Sequence, residues 1–94
     1  MNEEKRKKLS RLETDILIIV VRESINKISY RNPQKVLRLG VWSNDKEVID
    51  ALRGLEDNYG FVKLVGSSFF GFNTSKYHVD LKGARELYNE LVFG

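Results

Sequence analysis

The chain of 94 residues contains no cysteine. Disulfides, thiolate metal ligands and cysteine nucleophiles are excluded at once. Histidine is nearly absent too, with His78 standing alone. Any metal site would have to be built mainly from carboxylates, and no segment has the Asp/Gly spacing of a calcium loop. No serine–histidine–acid arrangement can be argued from one histidine, which reads as an ordinary surface or half-buried strand residue. Phosphate-cradling glycine motifs are missing: Gly66, Gly71 and Gly83 have the wrong spacing and no Lys-Ser/Thr after them. Long apolar runs are missing as well. The longest, Ile16 to Val21, is six residues, against about 20 for a membrane-spanning helix. The N-terminus has no signal-peptide core, and there are no repeats or low-complexity tracts. These absences predict a protein that is not an enzyme, carries no cofactor or metal, avoids membranes and works in the cytoplasm.

Hydrophobic residues make up 41% and charged residues 31%, a balance that suits a folded domain rather than a disordered chain. The length allows one domain, with a charged leader over 1–9 and the fold over 10–94. A core this small is commonly supplemented by oligomerisation. Residues 1–38 hold ten Lys/Arg against five Asp/Glu, and residues 39–94 hold six against eight. The basic half points to an anionic partner, or is a solvated, solubilising segment.

Ser10-Arg11-Leu12-Glu13 reads as a capping box opening a helix to about Ser24. The β-branched run Ile16–Val21 also permits a buried strand, but the box and the apolar spacing favour helix. Leu12, Ile16, Ile19 and Val20 form one stripe, and Leu17, Ile18, Val21 and Ile25 another. Two stripes favour contact with a second subunit over a core that wraps the helix. Lys27–Tyr30 alternates like a short strand. Asn32-Pro33 starts a second helix, with asparagine as cap and proline at the first turn. Its apolar face is Val36, Leu37 and Leu39, and Gly40 is its left-handed stop. Trp42 packs beneath the following turn. Ser43 or Asn44 caps a third helix to about Asp57, and Asn44 with Glu47 has capping-box spacing. Val48, Ala51, Leu52 and Leu55 are its buried face. Phe61–Val65 and Lys76–Val79 are the strands of a hairpin with a long, mobile tip. Asp80 caps a last helix with the stripe Ala84, Leu87, Tyr88, Leu91.

Two short helices joined by a tight turn, followed by a hairpin, make a helix-turn-helix with a wing. The stretches Val36–Val41, Val48–Glu56, Gly60-Phe61-Val62 and Tyr77–Leu87 carry the likeness. In their order and spacing the chain resembles the winged helix-turn-helix superfamily, in particular small prokaryotic, archaeal or viral and plasmid regulators of the MarR and PadR type. The resemblance covers about Ser10 to Leu91. It implies an α+β fold: a three-helix core, a β-hairpin wing and a C-terminal helix. It also implies sequence-specific binding of double-stranded DNA, with the third helix in the major groove and the wing on the backbone or adjacent minor groove.

On that reading Asn44, Lys46 and Arg53 contact bases, since amide, ammonium and guanidinium groups match base edges in the major groove. Arg31, Lys35, Arg38, Ser43, Lys63, Ser67, Ser68, Asn73, Thr74 and Lys76 contact the DNA backbone. The leader lysines add charge. Leu17, Val21, Leu87, Tyr88 and Leu91 form the homodimer interface, and two-fold symmetry predicts a palindromic site with half-sites about 10 bp apart. The protein is then a nucleoid-associated transcriptional regulator or a plasmid or viral partition-site binder. One feature departs from the pattern. The third helix is acidic, with Asp45, Glu47, Asp50, Glu56 and Asp57 against Lys46 and Arg53, so phosphate contacts elsewhere must carry affinity. The acidic helix also supports a different class, a winged-helix module that binds protein and not DNA. Phe69, Phe70 and Phe72 at the hairpin tip are expected to fold onto the core or a partner subunit. A wedge between base steps is the alternative.

Overall fold

The computed structural model describes residues 8–38 and 43–94. Leader residues Lys5, Arg6 and Lys7, and the inter-helix residues Leu39, Gly40, Val41 and Trp42, lie outside the described residues. Ser10 opens α1 (Arg11–Glu23) with the expected reciprocal box. The Glu13 amide donates to Ser10 Oγ at 3.1 Å, and the Ser10 amide donates to Glu13 Oε1 at 2.7 Å. Two of the N–H groups left over at a helix start are thereby satisfied. Ser24 ends the helix in a left-handed conformation.

β1 (Lys27–Ser29) follows, then α2 (Pro33–Leu37). Asn32 makes no side-chain cap bond, contrary to the reading of the sequence. The carboxylate of Asp45 accepts instead from the amide of Gln34, eleven residues before it, at 3.1 Å. The left-handed stop is also not where expected: Arg38 adopts φ 54° and closes the helix two residues before Gly40. α3 (Asp45–Tyr59) is capped by Asn44, whose Oδ1 accepts from the Glu47 amide at 2.8 Å. It runs two residues past the expected end and stops at Gly60, whose φ of 75° suits a residue without Cβ.

β2 (Val62–Val65) and β5 (Lys76–Val79) are the long arms of the hairpin, and β3 (Ser68–Phe69) and β4 (Phe72–Asn73) form its tip. The tip is therefore a paired ribbon rather than an irregular loop. Its two turn residues, Phe70 and Gly71, take φ 49° and 80°, the left-handed pair that matches strand twist in a two-residue hairpin. α4 (Leu81–Phe93) starts at Asp80, which accepts from the Lys82 amide. The three-stranded sheet has the order β1-β5-β2, antiparallel throughout, so the last strand lies in the middle. The result is a small α+β domain with an antiparallel sheet and, among the described residues, four helices. No helix among them is long and apolar enough to cross a membrane.

One apolar cluster joins helices and sheet. Ile16, Leu17 and Val20 from α1, Val48, Leu52 and Leu55 from α3, Ile28, Val62 and Tyr77 from the sheet, and Ala84 from α4 are all buried in it. Leu17 is fully buried and Leu87 nearly so. Both pack within their own chain, so neither offers a dimer surface; the expected interface loses them. Leu17, on the second stripe of α1, reaches the core where α4 packs on α1, while Ile18, Val21 and Ile25 stay half-buried.

Glu13 is the buried charged residue among those described, at 9% exposure. It fits because Gly54 on α3 has no side chain: a Cβ there would collide with Glu13 Oε2. Glycine in a helix interior ordinarily costs about 1 kcal/mol relative to alanine. Gly54→Ala should nevertheless destabilise the domain, since the methyl displaces the carboxylate that completes the α1 cap. In a Glu13→Ala background the same change should be stabilising, by up to about 1 kcal/mol. Urea unfolding of the four proteins of this cycle checks the reversal of sign.

Candidate nucleic-acid interface

Two surfaces carry the residues singled out from the sequence: the exposed side of α3 and the outer face of the sheet with its hairpin. On α3, Val48, Ala51, Leu52 and Leu55 face the core, and Asn44, Asp45, Lys46, Glu47, Asp50 and Arg53 are exposed. Ile49 is half-buried against the core.

The polar groups of α3 are mostly engaged already. Asn44 bonds Glu47 twice: its Oδ1 accepts from the backbone, and its Nδ2 donates to Glu47 Oε1 at 2.9 Å. Asp45 holds α2. Glu56 Oε2 accepts from the Leu64 amide at 3.2 Å, giving a partner to a donor on edge strand β2. Three of the five carboxylates of this helix thus have structural partners, and two of them, Asp45 and Glu47, also sit favourably at the positive end of the helix dipole. The Arg53 guanidinium interacts with the hydroxyl of Tyr77. Among the three expected base readers, Lys46 is the one with no internal role among the described residues.

Tyr77 connects the two surfaces. It sits in the middle of β5, 1% exposed, stacked on Tyr30 at 6.2 Å between centroids. Burial raises its pKa above the ordinary tyrosine value; the Arg53 charge opposes this, and Glu56 adds to it. A buried ring with its hydroxyl at an arginine is a satisfied arrangement.

The outer face is set by strand register. Lys27 on β1 and Lys63 on β2 both lie directly opposite His78 on β5. In the next outward row Ser29 and Val65 flank Lys76. Lys27, Lys63, Lys76 and His78 are exposed, and the three strands contain no Asp or Glu. Like charges placed in adjacent rows of a sheet repel, so internal stability does not account for this face.

The register continues into the hairpin without an inserted residue: Val65 opposes Lys76, Ser68 opposes Asn73, and Phe69 opposes Phe72. Between the two ladders the Thr74 amide donates to the Ser67 carbonyl, and the Ser67 amide donates to Ser75 Oγ at 3.1 Å. Ser67 Oγ and Thr74 Oγ1 are 2.6 Å apart. A shallow groove of about 240 Å³ runs between Lys27, Val65, Ser67, Thr74, Lys76 and His78. Asn73 Oδ1 accepts from the Ser75 amide. The expected backbone contacts Arg31, Lys35, Arg38, Lys63, Ser67, Ser68, Asn73 and Lys76 are exposed, while Ser43 and Thr74 are half-buried. Several of the hairpin hydroxyl and amide groups hold one another.

Phe69, Phe70 and Phe72 do not fold onto the core. They are 65%, 85% and 61% exposed, and Phe69 and Phe70 meet edge to face at 4.4 Å. Lys27 and His78 were missed as members of a surface. The alternation in each strand was readable, but only the pairing register aligns them. Comparison with protein-family models, curated proteins and solved structures finds no match.

The Tyr77 environment has a measurable consequence. A tyrosine whose folded-state pKa is raised contributes stability in full below the unfolded value, and that contribution is lost as pH rises from about 10 through the folded value. Alkaline unfolding followed by circular dichroism should therefore show a steeper loss of stability for the wild type than for Tyr77→Phe. Equal slopes would contradict the assigned environment.

Proposed function

We propose that the chain is a winged helix-turn-helix domain that binds double-stranded DNA inside a cell. It acts as a homodimeric regulator of transcription or as a binder of a plasmid or viral partition site. The observation that carries this reading is the topology. A helix pair tied by Asp45 to Gln34 is followed by a hairpin that extends well beyond its sheet, and the order β1-β5-β2 threads β1 beside the returning wing strand. This supports the arrangement that the sequence resemblance implies.

Lys46 on the first turn of α3 is the base-reading side chain, and exposed Asp50 is a matching acceptor for a cytosine amino group. Asn44 is assigned to the cap and Arg53 to Tyr77. Phosphate contacts come from Arg31, Lys35 and Arg38 around α2 and from Lys63 and Lys76 on the wing strands. The homodimer uses Val21 and the free end of α4: Tyr88 is half-buried, and Leu91, Val92 and Phe93 are exposed. The three exposed phenylalanines favour a second reading, a module that docks on another protein through its wing.

Fluorescence anisotropy with a mixed-sequence duplex separates the two. DNA binding should fall about a hundredfold or more between about 50 and 200 mM salt, because several phosphates release counterions. Lys46→Ala should cost about 1–3 kcal/mol on a selected site and less on random duplex. Absence of binding at the lower salt would favour the protein-docking reading. Sedimentation of Leu91→Asp/Phe93→Asp should give a monomer where the wild type gives a dimer.

A further inference from the structure

We propose that the outer face of the sheet and its ribbon, which shares Lys63 and Lys76 with the duplex contacts assigned above but is distinct from α3, holds single-stranded DNA: Lys27, Lys63 and Lys76 grip phosphates, and the phenylalanines of the tip stack on unpaired bases.

Side chains alternate across a strand with a period of two. The unbroken register therefore carries Lys63, Val65, Ser67 and Phe69 along one side of the ribbon, with Phe72, Thr74, Lys76 and His78 opposite them on the same side. The groove lined by Lys27, Lys76 and His78 also includes Ser67 and Thr74, which follows that alternation past the end of the main sheet. One continuous face thus runs from cations to aromatic rings over about 20 Å, six residues at about 3.3 Å each. Cations that follow a backbone, combined with rings that take bases, form the general device for binding a single strand.

The turn adds an independent argument. Phe70 is the most exposed of the three rings and has a left-handed backbone. Asparagine is the residue suited to that position before Gly71, and a bulky side chain there is strained. Within the chain Phe70 has an edge contact with Phe69 but neither burial nor favourable turn geometry, so its ring serves something outside it. Charge complementarity selects an anionic partner, since the strands of this face carry lysines and no carboxylate. The two hydroxyls in the middle of the face spend one O–H and one lone pair on each other, which reduces what they offer a ribose 2′-hydroxyl. That favours DNA over RNA.

The test is anisotropy with a labelled oligothymidylate of about 15 nucleotides, an abasic strand of equal charge, the matching oligouridylate, vesicles rich in anionic lipid, and a duplex in parallel. Wild type should bind oligothymidylate more tightly than the abasic strand and at least as tightly as oligouridylate. Phe69→Ala/Phe72→Ala should lower that affinity at least about fivefold per ring and leave the abasic strand and the duplex unchanged. Phe70→Asn should raise Tm and still weaken oligothymidylate binding, an opposition that a purely structural role would not produce. Equal binding of the thymidylate and abasic strands, or unchanged affinity in both phenylalanine variants, overturns the proposal. Phenylalanine-dependent binding confined to vesicles or to RNA also overturns it. Duplex binding that depends on Lys46 while the single strand fails would leave the proposed function standing; the reverse pattern would remove the proposed function and keep this surface.

Discussion

The two-residue alternation of β5 is the constraint on which the rest of the structure depends. The strand is central, paired on both edges, so its register cannot slip without moving every neighbour. Its sequence, Lys76-Tyr77-His78-Val79, sends Tyr77 and Val79 into the core and Lys76 and His78 outward. Inward, Tyr77 closes the cluster formed by the helices and takes Arg53 from α3 onto its hydroxyl. Outward, the same parity gathers Lys27 and Lys63 beside His78. A shift by one residue would bury the cations and expose the ring, which no small core could tolerate.

The same parity separates two surfaces of different character. The acidity of α3 reads from the sequence as a conflict with DNA. In the fold much of it is internal bonding: Asp45 satisfies α2, Glu47 completes a cap, and Glu56 protects an edge strand. Of the exposed side chains near the start of that helix, Lys46 and Asp50 are the ones outside these bonds. The sheet face, by contrast, concentrates cations with no acid in its strands, and the ribbon adds aromatic rings that the core does not use.

Local devices were the legible part. The caps at Ser10, Asn44 and Asp80 act over two or three residues; those at Ser10 and Asp80 formed where the sequence placed them, and Asn44 is the one of the two candidates, Ser43 and Asn44, that caps α3. The buried face of α3 followed its apolar spacing. The failures are non-local. Asn32 has the right type for a cap, but the carboxylate of Asp45, eleven residues beyond Gln34, took the role. Arg38, not glycine, supplied the left-handed stop. Leu17 lies on a stripe that looked spare until α4 packed against α1. Phe69 and Phe72 look like core residues by composition, and only the ribbon register shows them on an exposed, basic side. Arg53, expected at a base, also has Tyr77 as a neighbour, which its place in the sequence does not show.

The most direct measurement is an amide chemical-shift map of the labelled protein, titrated with duplex DNA at low salt. The account predicts shifts at the first turn of α3 around Lys46 and along Lys63, Ser67, Thr74 and Lys76, with the interior faces of α1 and α4 unmoved. A map confined to α1 and α4, or one without shifts at any DNA concentration, would contradict it.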